Sequence, residues 1–284
     1  MSTSNTIVHD AASAPSAPST PEQRRAEHAA NGLAVTEPRV IRSEWIKLWS
    51  VRSMIIGFTF AAAVAIGFGA IFSSAGSARR GELVNPVSLS LAGLNLSRLI
   101  IGVLGVLVIS AEYSSGLIRT TLATVRSRVA ILRAKVVVFG SATAVVATFA
   151  AFTAFFVGQA LYTGARGSAA LSDPGVLRAV SGAAVYCVGV GLLGLALGFL
   201  LRSTAGAIGV LFATLLLIPG LAGLLPWSWS ATATKYLPSN AGEAFASVRQ
   251  ASDQLTPWTG LVVFTLWVVA MLACAGLALV RRDA

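Results

Sequence analysis

The 284 residues are 55% hydrophobic and only 11% charged, with a mean hydropathy of +0.77, a formal net charge of +10 and a pI near 10.8. A soluble domain of this size cannot bury so much apolar surface, which leaves the bilayer as the solvent. A nucleic-acid binder would gather its basic residues on one soluble face; here they punctuate apolar runs, which argues against nucleic acid as a partner.

Residues 1–38 are rich in Ala, Ser, Pro and charge and hold too little apolar surface to offset the entropy of ordering, so a disordered cytoplasmic tail is expected. Both histidines, His9 and His28, fall within it. The first apolar run begins only at Met54 and is long enough to span, unlike the short core of a signal peptide.

Over residues 39–53, Ile41, Trp45, Leu48 and Trp49 share one helical face, with Ser43, Lys47 and Ser50 facing away. That pattern predicts an amphipathic helix lying in the interface, where Arg42, Lys47 and Arg52 meet anionic lipid. The plainer alternative is a frayed start of the first span, against which Glu44 and Lys47 count because neither can go deep.

A helix crossing about 30 Å of hydrocarbon needs roughly 20 apolar residues. Six windows qualify: 54–72, 87–109, 136–157, 179–201, 205–225 and 258–280. The reading is therefore an all-α polytopic membrane protein whose transmembrane domain covers residues 39–284. The fourth and fifth windows are separated only by Arg202–Thr204, which forces an antiparallel hairpin. Pro219 and Gly220 are expected to bend or break the far part of the fifth helix. Gly194 and Gly198 form a GxxxG in the fourth, read as packing within the chain rather than as a dimer seam.

With the N-terminus inside, fourteen Lys and Arg fall on the cytoplasmic side, six fall outside and Arg98 lies within the membrane. The positive-inside rule then places both termini in the cytoplasm of a multi-pass plasma-membrane protein. The loop over residues 226–257 carries Trp227, Trp229 and Tyr236; it is expected to be extracellular, lying in the interface or re-entering it.

Several chemistries are absent. No apolar window holds a carboxylate or histidine, so no usual metal site or catalytic acid pair is expected, and a proton- or sodium-coupled carrier is disfavoured. No phosphate-binding loop occurs, since none of the lysines Lys47, Lys135 and Lys235 follows a glycine. Cys187 and Cys274 sit in apolar runs as small hydrophobes.

Two features carry more. Arg98, beside Asn95 near the middle of the second window, costs on the order of 3 kcal/mol at that depth. Either it lines a translocation path and faces a polar or anionic substrate group, or the helix is longer or tilted and Arg98 snorkels outward. The second feature is the segment from Glu112 to Lys135, EYSSGLIRTTLATVRSRVAILRAK, with five basic side chains. Its run SSGLIRTTLATVRSR is compatible with a short helix that puts Leu117, Thr121 and Thr124 on one side and displays Arg119 and Arg126, able to dock into a groove on a soluble partner. The alternative is that these arginines only fix topology.

The string EYSSGLIRTTL, followed by RAK and an apolar run, with SEWIKLWSVRS ahead of the first span and KYLPSNAGEAF in the last long loop, resembles the membrane subunit of ABC-2 type ABC transporters of the actinobacterial permease kind. The likeness extends over roughly residues 39–284; the tail matches nothing, and Arg98 departs from the pattern. The resemblance implies a six-helix ABC-2 type domain that dimerises or pairs with a second permease and engages cytoplasmic ATPase subunits, which would bind ATP and magnesium while this chain binds no cofactor. It makes Glu112 to Arg128 the coupling helix, with Glu112, Tyr113, Ser114, Ser115, Gly116, Ile118, Arg119, Thr120, Thr121 and Arg126 as the coupling residues and none of them catalytic. It makes Ser43 to Ser53 a connecting helix marked by Trp45, Lys47 and Trp49, and it puts re-entrant helices in the last outer loop. The expected function is that of a permease subunit, an exporter by analogy and not itself an enzyme. The alternatives are an ATP-independent channel or carrier and a non-transporting scaffold or immunity protein.

Overall fold

The computed structural model describes residues 20–24, 37–78, 85–114, 128–164, 167–222, 228–248 and 254–281. The chain divides into Met1–Thr36 and Glu37–Ala284. In the first unit, residues 21–24 make one helical turn. The Thr20 backbone N–H donates to Gln23 Oε1 at 2.8 Å and the Gln23 N–H returns to Thr20 Oγ1 at 3.4 Å, a reciprocal capping box.

Among the described residues of the second unit, all regular structure is helical. The helices are α1 (Glu37–Ser50), α2 (Arg52–Ala78), α3 (Pro86–Ser90), α4 (Ala92–Ser114), α5 (Arg128–Leu161), α6 (Val176–Leu201), α7 (Thr204–Phe212), α8 (Ile218–Ala222), α9 (Ser228–Lys235), α10 (Pro238–Ala246) and α11 (Pro257–Arg281). Glu37 and Pro38, assigned above to the tail, thus belong to α1. Six stretches are long and apolar enough to cross a membrane: Arg52–Gly76, Pro86–Tyr113, Val129–Leu161, Val176–Leu201, Thr204–Ala222 and Pro257–Arg281. Each contains most of one window read from the sequence, so the chain is a polytopic membrane protein.

These spans alternate in direction. One end of the bundle carries the start of α2, the end of α4, the start of α5, the α6–α7 turn and the end of α11. Among the described residues that end has Arg39, Arg42, Lys47, Arg52, Arg128, Arg133, Lys135, Arg202 and Arg281, whereas the opposite end has Arg178 and Lys235. We call the first the basic end.

The tightest seam runs between α4 and α6, which are parallel. A Cβ on Gly194 would strike the Gly102 carbonyl, one on Gly105 would strike the Gly191 carbonyl, and one on Gly198 would sit 3.1 Å from the Val106 carbonyl. The GxxxG of Gly194 and Gly198 therefore serves packing within the chain, where small residues let two backbones meet.

The α6–α7 connection is the expected hairpin. Arg202 takes a left-handed conformation (φ 51°), its N–H bonds back to the Gly198 carbonyl at 3.2 Å, and Ser203 Oγ accepts the Gly206 N–H at 3.3 Å to start α7. Pro219 and Gly220, expected to bend or break this helix, lie within α8 and do not break it; ahead of them the helix widens into a π segment, Ala213–Leu217, the local relief where proline removes a donor and crowds the preceding turn.

Candidate functional site

Charge and apolar surface meet at two places, one in each half of the bundle.

The first lies at the basic end. Lys135, about two turns into α5, is 2% exposed. Its Nζ donates to Glu44 Oε2 of α1 at 2.6 Å and to Glu112 Oε1 of α4 at 2.8 Å. Lys47 of α1 donates to the same Glu112 oxygen at 2.8 Å and to Glu44 Oε1 at 3.0 Å. Two carboxylates and two ammonium groups thus close a ring of alternating sign that ties α1, α4 and α5 together. Its formal charge is zero, and each buried charge has two opposite partners, the condition under which burial is tolerated.

The ring tunes its two members on α1. Burial would raise the Glu44 carboxyl, but Lys135 and then Lys47 more than offset it and hold Glu44 below the ordinary carboxylate value. Burial would likewise lower the Lys47 ammonium, but Glu112 and then Glu44 outweigh it and raise Lys47 above the ordinary value.

This geometry corrects the orientation expected for α1. Lys47 turns onto Glu112 instead of toward lipid, and the inward face is Val40, Glu44 and Leu48. Trp45 and Trp49, expected on one face with Leu48, are instead turned away from it and are 42% and 38% exposed. The reason is electrostatic. Lys135 and Glu112 are buried at the mouth of the bundle and need counter-charges, and Glu44 and Lys47 are the pair on α1 that reaches them. The indoles are left outward, paired with each other at 5.8 Å, and Trp49 continues to Phe58 at 6.5 Å and Phe58 to Phe139 at 5.9 Å. Beneath α1 the ring caps a cavity of about 320 Å³ walled by Leu48, Met54, Leu107 and Phe139.

Of the expected coupling residues, Glu112, Tyr113 and the backbone of Ser114 end α4. Glu112 is turned inward on the two lysines. Tyr113 lies under the Arg202 guanidinium, 5.4 Å from ring centroid to Cζ. Ser115, Gly116, Ile118, Arg119, Thr120, Thr121 and Arg126 lie outside the described residues.

The second place is in the opposite half. The segment following α9 folds back, and α10 is wedged between α6 and α11. The fit demands glycine at two points: a Cβ on Gly182 would meet the Phe245 carbonyl at 2.7 Å, and one on Gly260 the Ala241 carbonyl at 2.6 Å. Arg178 caps the end of α10, donating from Nη1 to the Phe245 carbonyl at 2.8 Å and from Nη2 to the Ser247 carbonyl at 3.0 Å. Tyr186, ten residues into α6, donates its hydroxyl to the Ser239 carbonyl at 3.0 Å.

Arg98 faces into the bundle here. The span holding it is indeed longer than its apolar core, 28 residues from Pro86, but the guanidinium does not run outward: it lies 4.6 Å over the face of Tyr186 and lines a cavity of about 250 Å³ between α3, α4, α6 and α10. Asn95 sits on the same cavity and is exposed. Nearby, a neutral network joins α3 to α2, α5 and the segment after α5: Gln159 Nε2 donates to Ser90 Oγ at 2.9 Å, Ser73 and Ser90 hydroxyls are 3.2 Å apart, and Gln159 Oε1 accepts the Ala169 N–H at 2.7 Å. Sequence reasoning found Arg98 by its depth; it missed Tyr186, Glu44 and Gln159, whose roles depend on partners 53 to 91 residues away.

Compared with known proteins, the chain matches no protein-family model and no curated protein sequence.

Proposed function

We propose that the chain is the membrane-spanning permease subunit of an ATP-driven transporter of the ABC-2 kind, exporting its substrate across the plasma membrane with both termini in the cytoplasm. ATP and magnesium are held by a separate cytoplasmic ATPase, which seats on residues 112–128, and two permease chains pair to engage a paired ATPase.

One observation carries this reading. Glu112 and Lys135 flank the basic segment on either side, their charged atoms 2.8 Å apart, and both are clamped to α1 through Lys47 and Glu44. A load applied to the segment between them therefore reaches α1, α4 and α5 together, as mechanical coupling requires. The concentration of described basic residues at that same end supports a cytoplasmic location by the positive-inside rule.

The test is gentle purification of the tagged chain from its membrane, with identification of co-purifying subunits and an ATP hydrolysis assay. A soluble ATPase in stoichiometric amount is expected, and its hydrolysis should become uncoupled in Arg119→Glu while membrane insertion is intact. A chain that comes out alone, under extraction mild enough to keep other complexes, sinks the reading. An ATPase that stays coupled in Arg119→Glu moves the docking surface elsewhere.

A further inference from the structure

The cavity at Arg98 is unusual in how its polar atoms are matched. Asn85 Oδ1 accepts the Val87 N–H at 3.0 Å, the Ser88 hydroxyl donates to the Asn85 carbonyl at 2.8 Å, the Tyr186 hydroxyl donates to Ser239, and the Ser247 hydroxyl donates to the Ala244 carbonyl at 3.3 Å. Arg98 differs. Its Nε is enclosed and has no acceptor among the described residues, and its position over the Tyr186 ring offers a π face rather than a lone pair. A buried guanidinium N–H without an acceptor is seldom left so, because its desolvation is not compensated.

The surroundings make the guanidinium a fixed donor. Tyr186 is held by Ser239 through its hydroxyl and meets Phe264 edge-on at 5.0 Å, and a Cβ on Gly242 would come within 2.5 Å of the ring. A ring so confined orients the cation above it. The rest of the wall is largely apolar, with Val87, Leu94 and Ala183 among it, and the carboxylate of Glu243 stands exposed at the rim.

We infer that this cavity is a binding site for a compact organic anion, a carboxylate or phosphate ester carrying a short apolar group, with the anion on the Arg98 guanidinium and the apolar group against α3 and α4. At about 30 Å³ per water in the liquid, the cavity equals the space of roughly eight waters, which suits a small amphiphile and not a whole phospholipid. Glu243 at the rim disfavours a second negative charge. Such a site would exist whether or not the chain couples to an ATPase, and its test uses none, so a failure here leaves the permease reading standing and the converse also holds.

The full chain is reconstituted in phosphatidylcholine nanodiscs and titrated calorimetrically with 4-phenylbutyrate and with 4-phenylbutylamine, empty discs being subtracted. Saturable binding of the carboxylate and none of the amine is expected, with affinity falling about tenfold or more in Arg98→Gln, since charge-assisted hydrogen bonds are the strong ones. Equal binding of acid and amine, or an affinity unchanged in Arg98→Gln, overturns the proposal. Should Arg98→Gln not yield a folded chain, the exposed substitution Glu243→Gln decides: removing the rim charge should tighten phenylbutyrate about threefold, the scale of an exposed charge interaction, and unchanged or weakened binding overturns the site. Mass spectrometry of the extracted chain separates the sources. A single-chain lipid anion released by the wild type but not by Arg98→Gln identifies the membrane as the supply; an empty chain that takes phenylbutyrate from solution identifies an aqueous solute.

Discussion

The Nζ of Lys135 and Oε1 of Glu112 lie 2.8 Å apart across 23 residues of sequence, and the residues between them include the whole basic segment of the chain. A contact that closes both ends of one segment on the bundle is a different object from a surface ion pair, because both side chains are almost fully buried.

Removing one member should therefore be costly. Lys135→Met leaves Glu44 and Glu112 facing each other with only the half-exposed Lys47 between them. A loss of about 3–5 kcal/mol is expected, the usual scale when one partner of a buried pair is deleted. Arg133→Met, two residues away, breaks an exposed 3.2 Å pair with Glu37 and should cost under about 1 kcal/mol. Thermal unfolding of both variants in the same detergent checks the difference; equal losses would show that the ring is no tighter than a surface pair.

Acid should open the ring. Glu44 is held below the ordinary carboxylate value, so its contribution is present above that value and is lost as pH falls through the lower one reached in the fold. Lys47 is raised, so its contribution is complete below the ordinary lysine value near 10.5 and is lost only as pH climbs beyond it. Stability should be flat in between and fall below about pH 4.5. In Glu44→Gln the acid limb should shrink, which a series of melting curves from pH 3 to 7 reads directly.

The α4–α6 seam should reject a single methyl. In Gly194→Ala the new Cβ meets the Gly102 backbone, which cannot rotate away, so a loss of about 1–3 kcal/mol is expected. Gly209 of α7 has nothing within 4 Å of a Cβ, and Gly209→Ala should be neutral or stabilise by up to about 1 kcal/mol. Melting temperatures of the two variants, measured side by side, should move in opposite directions or differ by several degrees.

Tyr186→Phe removes the bond that the Tyr186 hydroxyl makes to α10 and leaves the Ser239 carbonyl buried. A loss of about 1–3 kcal/mol is expected, localised to α10. Hydrogen exchange should show faster exchange across Pro238–Ala246 with little change in α4.

The spans were legible because each needs only about 20 apolar residues in a row, a local property. The turn at Arg202–Thr204 was legible for the same reason, whereas Pro219 marked where the fifth span is disturbed but not that a π segment would absorb it without a break. The facing of α1 was not. Its apolar periodicity is local and puts Trp45 with Leu48, but the side that packs is chosen by Lys135, 91 residues from Glu44. Nor does periodicity reveal that Arg98 meets a tyrosine on α6 and a cavity completed by α10, since that depends on how a distant loop returns to the bundle. For the basic segment the sequence remains the fuller source, its centre lying outside the described residues.

Val51 is the single residue outside helix between α1 and α2. One residue supplies two soft backbone torsions. With Glu44 and Lys47 anchored to α4 and α5, α1 has no slack in which to slide, so a pull on its first turn must appear as rotation about Val51 and as torque on the base of α2. The junction thus behaves as a rocker with one pivot, and a change in its angle reaches the first span without any stretch of chain in between to absorb it.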